Sequence, residues 1–262
     1  MPRSLLTFIG MKTAISVSIA AGVGTLQINN EPVGNALTRA MMTNLAQNLL
    51  ALEQNKAVRV VVLQSEGQGA FCAGASLKEL LAVSNQQQAT HFFEGFAEIL
   101  AQMQQMTKFI LARVHGKVVG GGLGLVAGCD YVIAHQNAAI KLSELAIGIG
   151  PYVIAPALIR KIGATAFEEL SLAALQWRQA AWAQQKGLYA EITEDLKTLE
   201  LTVQERAAQF AQYPPEAVKT LRAWHWKNTS HWAQELFENA TITGRLALEE
   251  ATQNKLKQFF KK

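Results

Sequence analysis

Three adjacent glycines stand between a strand and an apolar run in His115-Gly-Lys-Val-Val-Gly-Gly-Gly-Leu-Gly-Leu-Val-Ala127. Ile110–Val114 just before reads as a strand, and Gly120–Ala127 reads as a glycine-rich helix start. Backbone without side chains can approach a neighbour closely, and the first N–H groups of a helix have no acceptor within it. Two uses fit such a junction. One is tight packing of small residues; the other is a site that holds an oxygen gaining negative charge during a reaction. A second small-residue junction, Ala73-Gly-Ala75, ends the unit that begins with the strand Val58–Leu63. On the residues alone both uses stay open.

The rest of the N-terminal half alternates strands and helices, which makes the chain α/β. Thr13–Ala20 alternates with period two, Ala21–Gly24 turns, and Thr25–Ile28 returns as a hairpin. Thr38 caps a helix running to about Gln54, and helices over Leu77–Val83 and Gln86–Met106 follow the Val58–Leu63 strand. Asp130–Ala134 and Ala138–Leu142 are further strands. Beyond Pro151 the pattern is helical: Val153–Lys161, Thr165–Leu175, Trp177–Lys186, Leu196–Gln212, Glu216–Trp226 and Trp232–Phe260. Pro214-Pro215 is the clearest break there. Met1–Gly10 reads as a disposable extension, with Met11 as a second candidate start.

Composition narrows the partners. With 262 residues, half of them hydrophobic, the chain can bury a core without disulfide or metal staples. Its two cysteines, Cys72 and Cys129, form no disulfide framework and point to a reducing compartment, hence the cytoplasm. The net charge of +4 divides evenly, +2 on each side of residues 130/131, with no basic stripe to follow nucleic acid. Anionic small molecules fit that balance. The longest apolar runs, such as Val118–Ala127, are too short to span a bilayer.

Several familiar sites are missing. The five histidines lack zinc-ligand spacing, and no serine-hydrolase elbow is present, so no metal is expected. Gly122–Ala127 fits a loose dinucleotide fingerprint, but that motif belongs in the first strand–helix–strand unit of its domain, and here it opens at residue 122. Glu144 lies in the mostly apolar stretch Ile140–Pro151. A carboxylate in an apolar recess has a raised pKa and can shuttle a proton, whereas on a surface it would only be solvated. Asp130 suits a hydrogen-bonding structural role, and Trp224, Trp226 and Trp232 suit core or subunit contacts.

From about Thr13 to Phe260 the chain resembles the enoyl-CoA hydratase/isomerase, or crotonase, superfamily. The resemblance rests on Phe71-Cys-Ala-Gly-Ala-Ser-Leu-Lys78 and His115–Gly124, in that order. It implies a crotonase-like ββα-superhelix spiral over 13–200, after an extension over 1–12. A C-terminal α-helical trimerisation region over 201–262 would give a homotrimer or hexamer. It implies an acyl-CoA thioester as substrate, with coenzyme A part of that substrate and no separate cofactor. Ala75 and Gly121 would supply the two oxyanion-hole N–H groups, and Glu144 the proton-moving carboxylate. Phe71, Ala73, Ser76, Leu77 and Lys78 would belong to the coenzyme A segment. The family usually has aspartate at Ser76, and its hydratases commonly have a second glutamate at Gly124. A lone carboxylate looks like members that shift a double bond, so an enoyl-CoA isomerase is the expected activity. The alternatives are a hydratase, including a methylglutaconyl-CoA hydratase-like enzyme, a decarboxylase, and a non-catalytic scaffold binding coenzyme A or RNA. Glu94 and Glu98 are candidates to replace the missing acid.

Overall fold

The computed structural model describes residues 14–259. The extension, the candidate start at Met11 and the last lysines lie outside that range. The chain opens with a hairpin, β1 (Ile15–Ala20) and β2 (Val23–Ile28), joined by Ala21 and Gly22, both at positive φ. Positive φ at both central residues gives the turn the twist that antiparallel strands need. Helix α1 (Arg39–Gln54) follows, its N-terminus capped by Thr38, whose hydroxyl accepts from Met41 N.

Three spiral turns come next, each made of a long strand, a short strand and a helical segment. The first is β3 (Val60–Ser65), β4 (Ala70–Cys72), α2 (Leu77–Ala82) and α3 (Gln86–Gln105). The second is β5 (Phe109–Val114), β6 (Lys117–Val119) and α4 (Gly121–Gly128). The third is β7 (Tyr131–His135), β8 (Ile140–Lys141), α5 (Glu144–Ile147), α6 (Ala155–Ile162) and α7 (Ala164–Leu172). The long strands, with β9 (Glu191–Thr193), join a six-stranded sheet ordered β1-β2-β3-β5-β7-β9, parallel except for the hairpin, and the short ones form a parallel sheet β4-β6-β8. This is the spiral the resemblance implies. Because the small sheet lies between each long strand and its helix, it gathers the three strand-to-helix junctions in one place.

β3 opens on four apolar residues, Val60–Leu63, because both faces are covered there. Val61 and Leu63 enter the core shared with α1 and α3, whereas Val60 and Val62 meet Leu199, Val203, Ala207 and Ala211 of α9 (Leu196–Ala211). The 200/201 boundary therefore falls within a helix that belongs to the sheet. Between α8 (Ala180–Gln185) and α9, the three-residue strand β9 (Glu191–Thr193) pairs with β7, in a stretch that reads as wholly helical half-chain. The long helix expected over Trp232–Phe260 is two, α11 (Trp232–Ala247) and α12 (Glu250–Phe259). Within α11, Gly244 allows close approach to α3: a Cβ there would lie 2.7 Å from Thr90 N.

Asp130 ties the C-terminal helices to the spiral. Its Oδ2 accepts from Ile110 N and from Arg222 Nε of α10 (Pro215–His225), each at 2.9 Å, and its Oδ1 from Trp226 Nε1 at 3.1 Å. Arg222, 1% exposed, also donates to the carbonyls of Met103, Gln104 and Met106 at the end of α3. Those carbonyls have no partner within the helix, so the buried guanidinium serves as their cap. Trp226 and Trp232 form a buried edge-to-face pair, whereas Trp224 is 65% exposed.

Candidate active site

The two glycine-marked junctions meet. Gly74 adopts φ +84°, and a Cβ on it would fall 2.8 Å from Val119 O and 3.2 Å from Gly121 N. Only glycine satisfies both the backbone conformation and that approach. The flanking peptides are pinned from α1's approach: Leu37 N donates to Gly74 O, and Ser76 N donates to Leu37 O, both at 2.8 Å. Ala75 N and Gly121 N, by contrast, have no hydrogen-bond acceptor among the described residues. Both residues line a cavity of about 650 Å³. Two N–H groups unspent by secondary structure, on residues lining one cavity, are the kind of donors an oxygen gaining charge requires.

Glu144 lines the same cavity, just after the small sheet. Gly120, at φ +52°, makes room for it: a Cβ there would stand 2.8 Å from Glu144 Oε1. Oε2 is buried without a hydrogen-bond partner. Burial pushes the carboxyl up to about 7, partly offset by backbone hydrogen bonding at Glu144 and Ser143. The carboxyl thus changes charge near neutrality, as a group that both takes and returns a proton should.

The other expected acids are elsewhere. Glu98 pairs with Arg39 and Glu94 with His91, and neither lines the cavity. Gly124 lies inside α4, where a Cβ would overlap the Cγ2 methyl of Ile154. The space that a side chain at 124 would need is filled by a branched residue of the loop before α6. Glu144 is the one carboxylate on the cavity wall among the described residues.

The remaining site candidates separate. Ala73 and Leu77 line the cavity with Ala75. Phe71 does not; its side chain is fully buried in the core, under β4. Ser76 caps α2, its hydroxyl accepting from Glu79 N, so at this position the side chain serves the helix. Lys78 is exposed on the first turn of α2 and lies off the cavity wall. Sequence reasoning missed Phe93 and Phe96 of α3, Ile154, Lys141 and Gln258 of α12, which line the cavity together with Lys255, a residue that reads equally as a solvated helix end or a phosphate contact. For Phe93 and Phe96 the signal was only the apolar stripe of a core helix.

The ββα spiral thus brings Ala75, Gly121 and the buried carboxyl of Glu144 to one cavity. The chain belongs to the enoyl-CoA hydratase/isomerase (crotonase) family, whose model matches residues 18–261. A Bacillus anthracis enoyl-CoA hydratase of known structure is 30% identical, with a TM-score of 0.75 over 80% of this chain and 81% of that one. The 2,3-dehydroadipyl-CoA hydratase of Escherichia coli (strain K12) is 29% identical over 75% of each chain. The ethylmalonyl-CoA decarboxylase of Gallus gallus is 28% identical over 57% of this chain and 50% of its own. The chain spans about half the length of several curated relatives, such as 53% and 48% of two from Bacillus subtilis (strain 168). No helix among the described residues is long and apolar enough to cross a membrane.

Proposed function

We propose that this acyl-CoA enzyme is a 2-enoyl-CoA hydratase working with one carboxylate. The observation that carries the proposal is Glu144: a buried, unpartnered Oε2 on a carboxyl pushed up to about 7, in the cavity that Ala75 and Gly121 also line. Water adds to Cβ of the enoyl thioester and gives its proton to the ionised Glu144. The displaced π pair moves toward the thioester carbonyl, where the two N–H groups stabilise the enolate oxygen. Glu144 then returns its proton to Cα. One carboxyl completes the cycle, so the absence of an acid at Gly124 does not count against hydration. The hydratase names carried by relatives in Escherichia coli and Bacillus anthracis support the same reading.

Double-bond migration is the second reading, favoured by the lone carboxylate among the cavity-lining residues described. There Glu144 would remove a proton from one carbon of a 3-enoyl thioester and return it to another, across the same stabilised oxyanion. Matched 2-enoyl-CoA and 3-enoyl-CoA substrates, followed by mass spectrometry in heavy-oxygen water, separate the two. Faster incorporation of one labelled water from the 2-enoyl substrate is expected. Faster isomer formation from the 3-enoyl substrate would replace hydration with isomerisation. Binding of acyl-CoA with no turnover of either would favour a scaffold.

A further inference from the structure

We propose that the acyl group this cavity accepts carries a second carboxylate, held by Lys141; the proposal rests on the acyl-CoA reading above and names its substrate class. Lys141 is the second residue of β8 and pairs with Val119 of β6. Ile140, one residue earlier, is fully buried in the core, so strand alternation turns Lys141 to the opposite face. That face is the cavity wall, which Val119 and Lys141 both line. Gly120 N donates to Lys141 O at 3.0 Å, so this side chain springs from the strand beside the Gly120–Gly121 junction.

The position of the ammonium is set but its charge is unmatched. Its Nζ stands 4.5 Å from the centre of the Trp177 ring, and Lys117 Nζ stands 5.2 Å from the same ring. An indole face attracts a cation without supplying a full negative charge. Among the described residues neither lysine forms an ion pair or a side-chain hydrogen bond, and Glu144 forms no ion pair with Lys141. Lys117 is exposed and screened by water, whereas Lys141 is partly buried on the wall of a largely apolar cavity and has no carboxylate partner. A ligand carboxylate reaching Lys141 on the cavity wall supplies that partner. A dicarboxylic mono-thioester would meet Ala75 and Gly121 with its thioester carbonyl and Lys141 with its free carboxylate. Lys141 lies on a different element from the Phe71–Lys78 segment, to which the resemblance assigns coenzyme A.

The test compares glutaconyl-CoA, a 2-enoyl thioester ending in a carboxylate, with neutral 2-hexenoyl-CoA, using the full-length enzyme. For the wild type, kcat/KM should favour glutaconyl-CoA. In Lys141→Met the ratio of the two kcat/KM values should fall roughly 10- to 100-fold, the range for a lost hydrogen-bonded charge pair, and Lys141→Arg should restore part of it. Equal losses on both substrates, or an unchanged ratio, would overturn the proposal. Calorimetric titration with the unreactive pair glutaryl-CoA and hexanoyl-CoA, and with free coenzyme A, keeps the test independent of turnover. If neither enoyl substrate reacts, the reaction assignment fails, yet a glutaryl-CoA preference that Lys141→Met removes would still support the carboxylate site. A matching loss of affinity for free coenzyme A would instead assign Lys141 to its phosphates and end the proposal.

Discussion

At the scale of single residues, Glu144 decides most. Glu144→Gln keeps the shape and removes the proton, so turnover should fall about 10²–10⁴-fold while acyl-CoA affinity stays within a few-fold. Turnover and calorimetric titration on one preparation check this; near wild-type turnover would exclude Glu144 as the proton carrier. As Glu144 ionises, wild-type kcat/KM should rise with pH through about 7, and the glutamine variant should lose that limb. The same shift has a stability consequence. A carboxyl whose pKa is raised on folding binds more protons in the native state than in the unfolded one between its ordinary value, 4.5, and about 7. Across that window wild-type stability must fall as pH rises. The Tm of Glu144→Gln relative to wild type should therefore climb from pH 4.5 to pH 7 and then level off, as a calorimetric series would show. Gly124→Glu tests the crowding at α4: overlap with Ile154 should destabilise the fold by about 1–3 kcal/mol in chemical denaturation, and adding Ile154→Ala should recover part of the loss.

At the scale of elements, the capping of α3 by Arg222 makes the sharpest claim. Removing a buried charge that satisfies Asp130 and three carbonyls should cost about 3–5 kcal/mol, so Arg222→Met should lower the denaturation midpoint far more than Arg206→Met at the half-exposed pair with Glu191. Much of the element order could be read from the chain. Apolar period-two and helical-period runs are long in β1, α1 and α3, and glycines mark both junctions of the site. The unread parts share a physical cause, which is that their stability comes from across the fold. β9 is three residues long and exists because β7 offers it a free edge. The small-sheet strands are two or three residues long, below any periodic signal. The break at Leu248 and Glu249 carries no glycine or proline, so Trp232–Phe260 reads as one helix. Lys141 and Ile154 could not be assigned to the cavity, because the contacts that define their roles, Trp177 and Gly124, are distant in sequence.

At the scale of the molecule, a homotrimer or hexamer is the expected assembly, and α10 presents surface suited to it. Trp224 is 65% exposed and Leu221 48%, with Ile159 of α6 at 41%. A joint Leu221→Glu and Trp224→Glu change should shift sedimentation equilibrium toward smaller species while leaving the circular dichroism of the chain intact. A folded wild-type monomer at micromolar concentration would contradict the assembly. The Asp130–Arg222 hub also bears on how this protein is made. Its two ends are 92 residues apart, and the guanidinium that completes α3 belongs to a segment translated long after that helix. A ribosome adds roughly 5–20 residues per second, so the end of α3 waits several seconds for its cap. During that interval the carbonyls of Met103, Gln104 and Met106 lack Arg222, and the outer face of the sheet awaits α9. A nascent chain released before residue 196 would keep both faults permanently, and one released between 212 and 221 would keep the first, which makes such fragments natural clients for chaperones and proteases.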